Sequence, residues 1–199
     1  MSNPRNIFAK ISVSIAMVLA IGTAAIAKRH SDPAFANIKI RNFGKMDNRF
    51  FRGAQPDESD YKDLKALGVK TVIDLQDHPT NYEKRDVEAL GMRYVNIPMS
   101  DSSYPKEESI NAFLKLVNNP STGVFFAHCA GGRHRTGVVG AIYRFNVNHW
   151  GYDQAYAEMK DYDFYTRFGH GDLQKYVQDY AQKMPNAAAA TSSTSQKNK

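Results

Sequence analysis

A chain of 199 residues with one cysteine cannot close an internal disulfide or assemble a thiolate metal cluster. Its six histidines are scattered and lack zinc-ligand spacing, so neither a metal nor a cofactor is expected. No run of lysine and arginine interleaved with aromatics occurs, which argues against nucleic acid as a partner. The 26 basic and 20 acidic residues leave a net charge of +6, enough to favour encounter with anionic substrates. No segment repeats, and no obligate protein partner is implied. The length suits one ordinary domain.

Long hydrophobic runs are also scarce. The exception is Ile11–Ala27, 17 residues without a charge, preceded by Arg5 and Lys10 and ending in Ala25-Ile26-Ala27. A positive start, an apolar centre and a small-x-small end describe a secretory signal peptide. The alternative is an uncleaved membrane anchor, for which 17 residues is short. Either reading places the domain outside the cytoplasm, exported to a periplasmic or extracellular space or tethered to a membrane. Residues 28–37 then read as a tether, 38–184 as the folded domain, and 185–199 as a low-complexity, disordered tail.

Within 38–184 strands alternate with helices. Strands are expected at Ile38–Phe43, Asn48–Arg52, Val69–Leu75, Met92–Ile97 and Gly123–His128. Helical spacing marks Glu58–Leu67, Asn81–Leu90, Lys106–Asn118, the stretch around Val138–Phe145, Tyr152–Asp161 and Gly171–Met184. The pattern predicts an α/β fold, a mostly parallel central sheet flanked by helices. Ligands of such folds bind beyond the carboxyl ends of the strands.

The lone cysteine lies at that edge, in HCAGGRHRTG (His128–Gly137), between a strand and a helix. A free cysteine is commonly a small buried apolar residue. Here its neighbours point elsewhere. Gly131 and Gly132 let the backbone curl so that successive N–H groups face inward and, with a helix N-terminus behind them, bind a tetrahedral oxyanion. The same field favours a thiolate at Cys129. Arg135 offers a planar fork of donors for two phosphate oxygens. A nucleophile aimed at a bound phosphate implies phosphoryl transfer, which needs positioning and charge stabilisation.

The motif H-C-x-x-G-x-x-R-T resembles the signature loop of cysteine-dependent protein tyrosine and dual-specificity phosphatases. FRGAQPDESDYKDLKALGVKTVIDL further resembles the N-terminal part of compact atypical dual-specificity phosphatases of plants, fungi and bacteria. The resemblance spans Ile38–Met184 and implies a protein tyrosine phosphatase-like fold. It implies Cys129 as nucleophile, Arg135 as phosphate clamp and the amides of Ala130–Arg135 (Ala130, Gly131, Gly132, Arg133, His134, Arg135) as cradle. It implies that His128 orders the loop and helps keep the thiol ionised, and that Thr136 hydrogen-bonds the sulfur. It implies a general acid on an upstream strand–helix loop, where Asp101 stands. Asp101 is preferred as that acid, with a turn former or helix cap as the alternative, and Asp74 and Asp77 are the other candidates.

Arg133 and His134 exceed what one phosphate requires and suggest a substrate with neighbouring phosphates, a phosphoinositide or inositol polyphosphate, beside phosphorylated protein. A catalytically silent phosphate-binding module is the competing reading. Tyr104 or Phe164 could wall the pocket or simply pack. Arg52 and Gln55 stand either near the site or, the favoured reading, only where they fix a turn, and Phe145 and Trp150 are read as core.

Overall fold

The computed structural model describes residues 35–184. The expected signal or anchor and nearly all of the tether precede this range, and the tail follows it. The chain divides into two compact units at Asn37/Ile38. Of the first, only residues 35–37 are described, and the account below concerns the second.

Its sheet has five strands: β1 (Gly44–Lys45), β2 (Phe50–Ala54), β3 (Thr71–Gln76), β4 (Arg93–Met99) and β5 (Phe125–Cys129). They lie in the order β1-β2-β5-β3-β4. Only β1 runs antiparallel to its neighbour; β2, β5, β3 and β4 are mutually parallel. Every residue of β2, β3 and β5 is buried. That explains their runs of aromatic and β-branched residues, since parallel strands are covered on both faces.

Among the described residues six α-helices flank the sheet: α1 (Asp60–Ala66), α2 (Glu83–Ala89), α3 (Glu107–Val117), α4 (His134–Val147), α5 (Tyr152–Asp161) and α6 (Gly171–Lys183). All residues of α4 from His134 to Phe145 are buried, so its apolar residues surround it rather than forming a stripe. It packs against β5, α3, α5 and α6. Phe50 joins the layers, stacked on Phe125 at 4.6 Å and edge-on to Tyr143 of α4 at 5.0 Å. Phe145 lies in this core. Trp150 packs against the core and lies under the Arg144 guanidinium at 4.1 Å. Arg144 in turn donates two buried hydrogen bonds to Glu158, Nε to Oε2 and Nη2 to Oε1, both at 2.7 Å. Planar fork-to-carboxylate pairing offsets the desolvation of both charges.

One expected strand does not form. Ile38–Phe43 is irregular, with Asn42 at φ 57°, and pairing is confined to Gly44–Lys45. The Arg41 carbonyl still accepts from Ala54 N–H at 2.8 Å, but the Asn42 side chain is spent elsewhere. Alternation alone could not foresee that a polar side chain would turn inward to brace another loop.

Candidate active site

Parallelism brings the ends of β2, β5, β3 and β4 to one edge of the sheet. In register, Ala54 faces Cys129, and Asp74 faces both His128 and Asn96. The segments that follow these strands carry Gln55, the cysteine loop, Asp77 and Asp101.

The cysteine loop is shaped from outside. Gly132 adopts φ +65°, and a Cβ there would stand 2.5 Å from the Gly53 carbonyl carbon and 2.6 Å from the Ala54 nitrogen. Only glycine fits both the left-handed backbone and the contact. Three successive carbonyls find donors outside the loop. Gln55 N–H donates to Ala130 O at 3.4 Å, and Asn42 Nδ2 to Gly131 O at 3.4 Å. Arg52 Nη2 donates to Gly132 O at 2.6 Å, joined by Asn42 Nδ2 at 3.3 Å. A trans peptide sets its N–H opposite its C=O. Pinning the carbonyls outward therefore turns the amides of Gly131, Gly132 and Arg133 into the cradle.

Arg52 and Gln55 thus belong to the site's support and do more than fix a turn. Arg52 is 1% exposed, and its guanidinium lies 4.0 Å from the centre of the Tyr162 ring. Burial lowers its pKa, an effect countered chiefly by Tyr162.

Cys129 is buried at the base of the loop. Burial alone would push its thiol up. The Thr136 hydroxyl and amide, the Arg135 charge and the Gly131 amide outweigh this and hold it below the ordinary thiol value. Arg135 and Thr136, in the first turn of α4, are also buried. Arg135 Nη1 donates to Asp77 Oδ1 at 2.9 Å and to Met99 O at 3.3 Å. Its Nε is buried and finds no acceptor in the protein. One side of the fork is anchored, and an unspent donor remains on the other. Burial opposes the Asp77 charge, but its backbone hydrogen bond and Arg135 hold its pKa below the usual value.

His128 lies beneath the loop, fully buried and stacked on Phe126 at 5.5 Å. Its Nε2 is 2.8 Å from Glu83 Oε1 and 4.0 Å from Asp74 Oδ1. Burial disfavours the imidazolium, yet Glu83, Asp74 and Cys129 together raise its pKa above the ordinary value. Asp74 has no solvent exposure and cannot act as an acid toward a ligand in the loop. Among the described residues, Asp74, Glu83 and His128 are one trio of possible metal ligands. Both Asp74 oxygens already accept hydrogen bonds, Oδ1 from Gln76 N–H at 2.9 Å and Oδ2 from the Tyr94 hydroxyl at 2.9 Å. Glu83 Oε2 accepts from Gln55 Nε2 at 3.1 Å. The trio is wired as a hydrogen-bond network.

The rim differs from the expectation of two free cations. Arg133 is part-exposed, with Nε 3.7 Å from Asp163 Oδ2. His134 is buried against aromatic rings: stacked on His170 at 3.6 Å, and edge-on to Tyr165 at 4.4 Å and Phe164 at 5.3 Å. Burial and the neighbouring His170 push its pKa down to about 4, so at neutral pH it carries no charge for a second phosphate. Phe164 is core, and Tyr104 is edge-on to Tyr176 with its hydroxyl donating to Asp179 Oδ2 at 3.0 Å. Neither is a free pocket wall.

Asp101 is exposed on the β4–α3 loop. Its carbonyl lies 2.7 Å from His170 Nδ1. A carbonyl can only accept, so Nδ1 carries the proton. His170 therefore joins the Asp101 loop to His134 in the first turn of α4. Sequence reasoning missed Asn42, Glu83 and His170; Glu83 lies within the expected helix Asn81–Leu90, where nothing local marks its side chain as turned inward.

Three comparisons fit this geometry. A probable tyrosine-protein phosphatase of Dictyostelium discoideum, DG1060, is 28% identical over 124 residues, 60% of this chain and 74% of its own. An inositol diphosphatase of rice, DSP1, is 29% identical over 107 residues, 51% of this chain and 48% of its own. The crystal structure of Pseudomonas aeruginosa TpbA shares the fold, with a TM-score of 0.60 at 24% identity over 70% of this chain and 84% of that one. The family described as "DSP-PTPase phosphatase fused to NAD+ kinase" matches residues 33–176. A strand–loop–helix cradle around one activated thiol, on this sheet order and within that matched span, places the chain in the DSP-PTPase phosphatase family, as a cysteine-dependent phosphatase.

Proposed function

We propose that Cys129 is the nucleophile and Arg135 the clamp for a single phosphate monoester carried on protein. The observation that carries this reading is the pairing of a thiol held below its ordinary pKa with a buried, unspent Arg135 Nε on the same loop. The thiolate attacks phosphorus while the P–O bond to the leaving group breaks. Asp101 gives its proton to the departing oxygen. Water then attacks the cysteinyl-phosphate, its proton goes to the Asp101 carboxylate, and inorganic phosphate leaves with the thiolate restored. Loop amides and Arg135 hold the equatorial oxygens throughout. Arg133 and His134 contribute to the cradle through their backbone N–H groups.

Phosphoprotein is favoured over inositol polyphosphate because His134 carries no charge at neutral pH and so adds no second cation beside the cradle. The deciding experiment is phosphate release from phosphotyrosine and phosphoserine/threonine peptides, phosphoinositides and inositol polyphosphates, wild type beside Cys129→Ser. Release by wild type alone, greatest on peptides, is expected. Preference for a polyphosphorylated inositol would overturn the substrate assignment, and oxyanion binding without release would favour the silent binding module.

We further propose that the domain works outside the cytoplasm, exported or tethered by Ile11–Ala27. The charge pattern of the N-terminus supports this. Among the described residues, no helix is long and apolar enough to cross a membrane. A reporter fused after Lys28 that is active only when exported tests the placement, and the mass of the mature chain separates cleavage from anchoring.

A further inference from the structure

The groups facing His128 come from several elements: Asp74 from β3, Glu83 from α2 and Cys129 from its own strand. Tyr94 of β4 reaches Asp74, and Tyr61 of α1 and Gln55 after β2 reach Glu83. Among the described residues, these contacts of His128, Asp74 and Glu83 involve no arginine or lysine. Two carboxylates therefore share one buried space with one imidazole, and they are not equivalent. Glu83 Oε1 is 2.8 Å from Nε2, while Asp74 stands off at 4.0 Å with both oxygens engaged.

Glu83 is fully buried, and a lone carboxylate without solvent is costly unless something cationic or donating meets it. Gln55 and Tyr61 supply neutral donors, and the Gln55 amide is itself held, Gln76 Nε2 donating to Gln55 Oε1. The remaining partner is the imidazole. Burial pushes the Asp74 pKa up, against the opposing pull of His128, and Glu83 is the nearer of the two carboxyl groups to Nε2.

We propose that Glu83 is a positioning residue for the nucleophile: through its contact with Nε2 it fixes the His128 ring beneath the loop and keeps it cationic, so that Cys129 is held as a thiolate. The inference rests on the reading of Cys129 as nucleophile and adds to it a carboxylate 46 positions upstream that never touches substrate. Gln55 is the clamp that keeps the carboxylate turned toward the ring.

Alkylation of Cys129 by iodoacetate, followed from pH 4 to pH 9 by mass spectrometry, reads thiolate formation without substrate. The Glu83→Gln chain, matched to wild type by near-ultraviolet circular dichroism, should show its midpoint about one pH unit or more higher. Alkylation below the wild-type midpoint should then slow about tenfold. Glu83→Asp should recover part of the shift. An unshifted midpoint in folded Glu83→Gln overturns the proposal. Should that variant not fold, nitrogen-15 NMR titration of His128 in the wild-type chain decides. An imidazole still protonated above pH 7 supports the inference, and one neutral by pH 6 overturns it. Failure of the nucleophile reading looks different: Cys129→Ser would retain turnover while the Glu83 effect on the thiol midpoint persisted.

Discussion

The cysteine loop and the loop carrying Asp101 leave strands of the same sheet edge, yet they are held in opposite ways. Residues 130–132 are braced by donors from Asn42, Arg52 and Gln55, lie against Gly53, and rest on a floor of buried charge. The Asp101 side of its loop is exposed: Ser100 Oγ accepts from Ser102 and Ser103 N–H and the Asp101 carbonyl meets His170, while the firmer ties, Arg135 to Met99 O and Tyr104 to Asp179, lie at the loop's two ends. The difference separates two tasks. Groups that must meet developing charge are fixed before substrate arrives, since preorganised dipoles cost no rearrangement at the moment of reaction. A proton donor that must meet leaving groups of different shape is left on a lightly tethered segment.

Breaking the braced side should cost most. Cys129→Ser should lower phosphate release about 10^4-fold or more while retaining affinity for an oxyanion such as tungstate, measured by calorimetry. Arg135→Lys should lower kcat/KM about 100- to 1,000-fold, because an ammonium cannot keep the Asp77 contact and also donate from the Nε side. Arg52→Met touches no substrate, yet it leaves the Gly132 carbonyl with only the longer bond from Asn42; it should lower kcat about 100-fold, with Kd for inorganic-phosphate-like ligands also raised.

The lightly held side should respond selectively. Asp101→Asn should lower kcat about 100-fold for alkyl phosphates and leave activated aryl phosphates nearly unchanged, with the alkaline limb of the pH profile lost. Equal loss on both substrate types would move the acid elsewhere, with Asp77 next in line. The smallest effect belongs to His134. Its folded pKa of about 4 lies below the unfolded value near 6.5, so the unfolded chain binds the extra proton between them. Stability from this group is present above pH 6.5 and lost as pH falls toward 4. His134→Gln should flatten that part of a denaturant-midpoint series and barely alter preference between singly and multiply phosphorylated substrates.

What the sequence disclosed follows the same division. The cysteine loop is local: its spacing, glycines and strand–helix setting lie within ten consecutive residues, and the buried strands announce themselves by β-branched and aromatic content. The support is not local. Asn42 and Arg52 act on carbonyls 89 to 90 and 80 positions away, and Glu83 meets His128 across the sheet edge. No periodicity encodes which polar side chain turns inward. His134 shows the converse failure: beside two arginines it reads as a further cation, but the rings of Tyr165, Phe164 and His170, brought back by the α5–α6 connection, make it neutral.

The close contact of Gly132 with Gly53 also governs when the protein becomes able to react. Strand β2 and the cysteine loop are separated by some 80 residues of chain, and joining them requires closing that span against its entropy. Until β2 has docked beside β5, the carbonyls of the loop have no outside donors and the amides have no reason to converge. A half-folded chain therefore carries an ordinary thiol. Reactivity requires this long-range pairing, so a molecule that lacks it neither consumes phosphoesters nor offers an activated sulfur to oxidants.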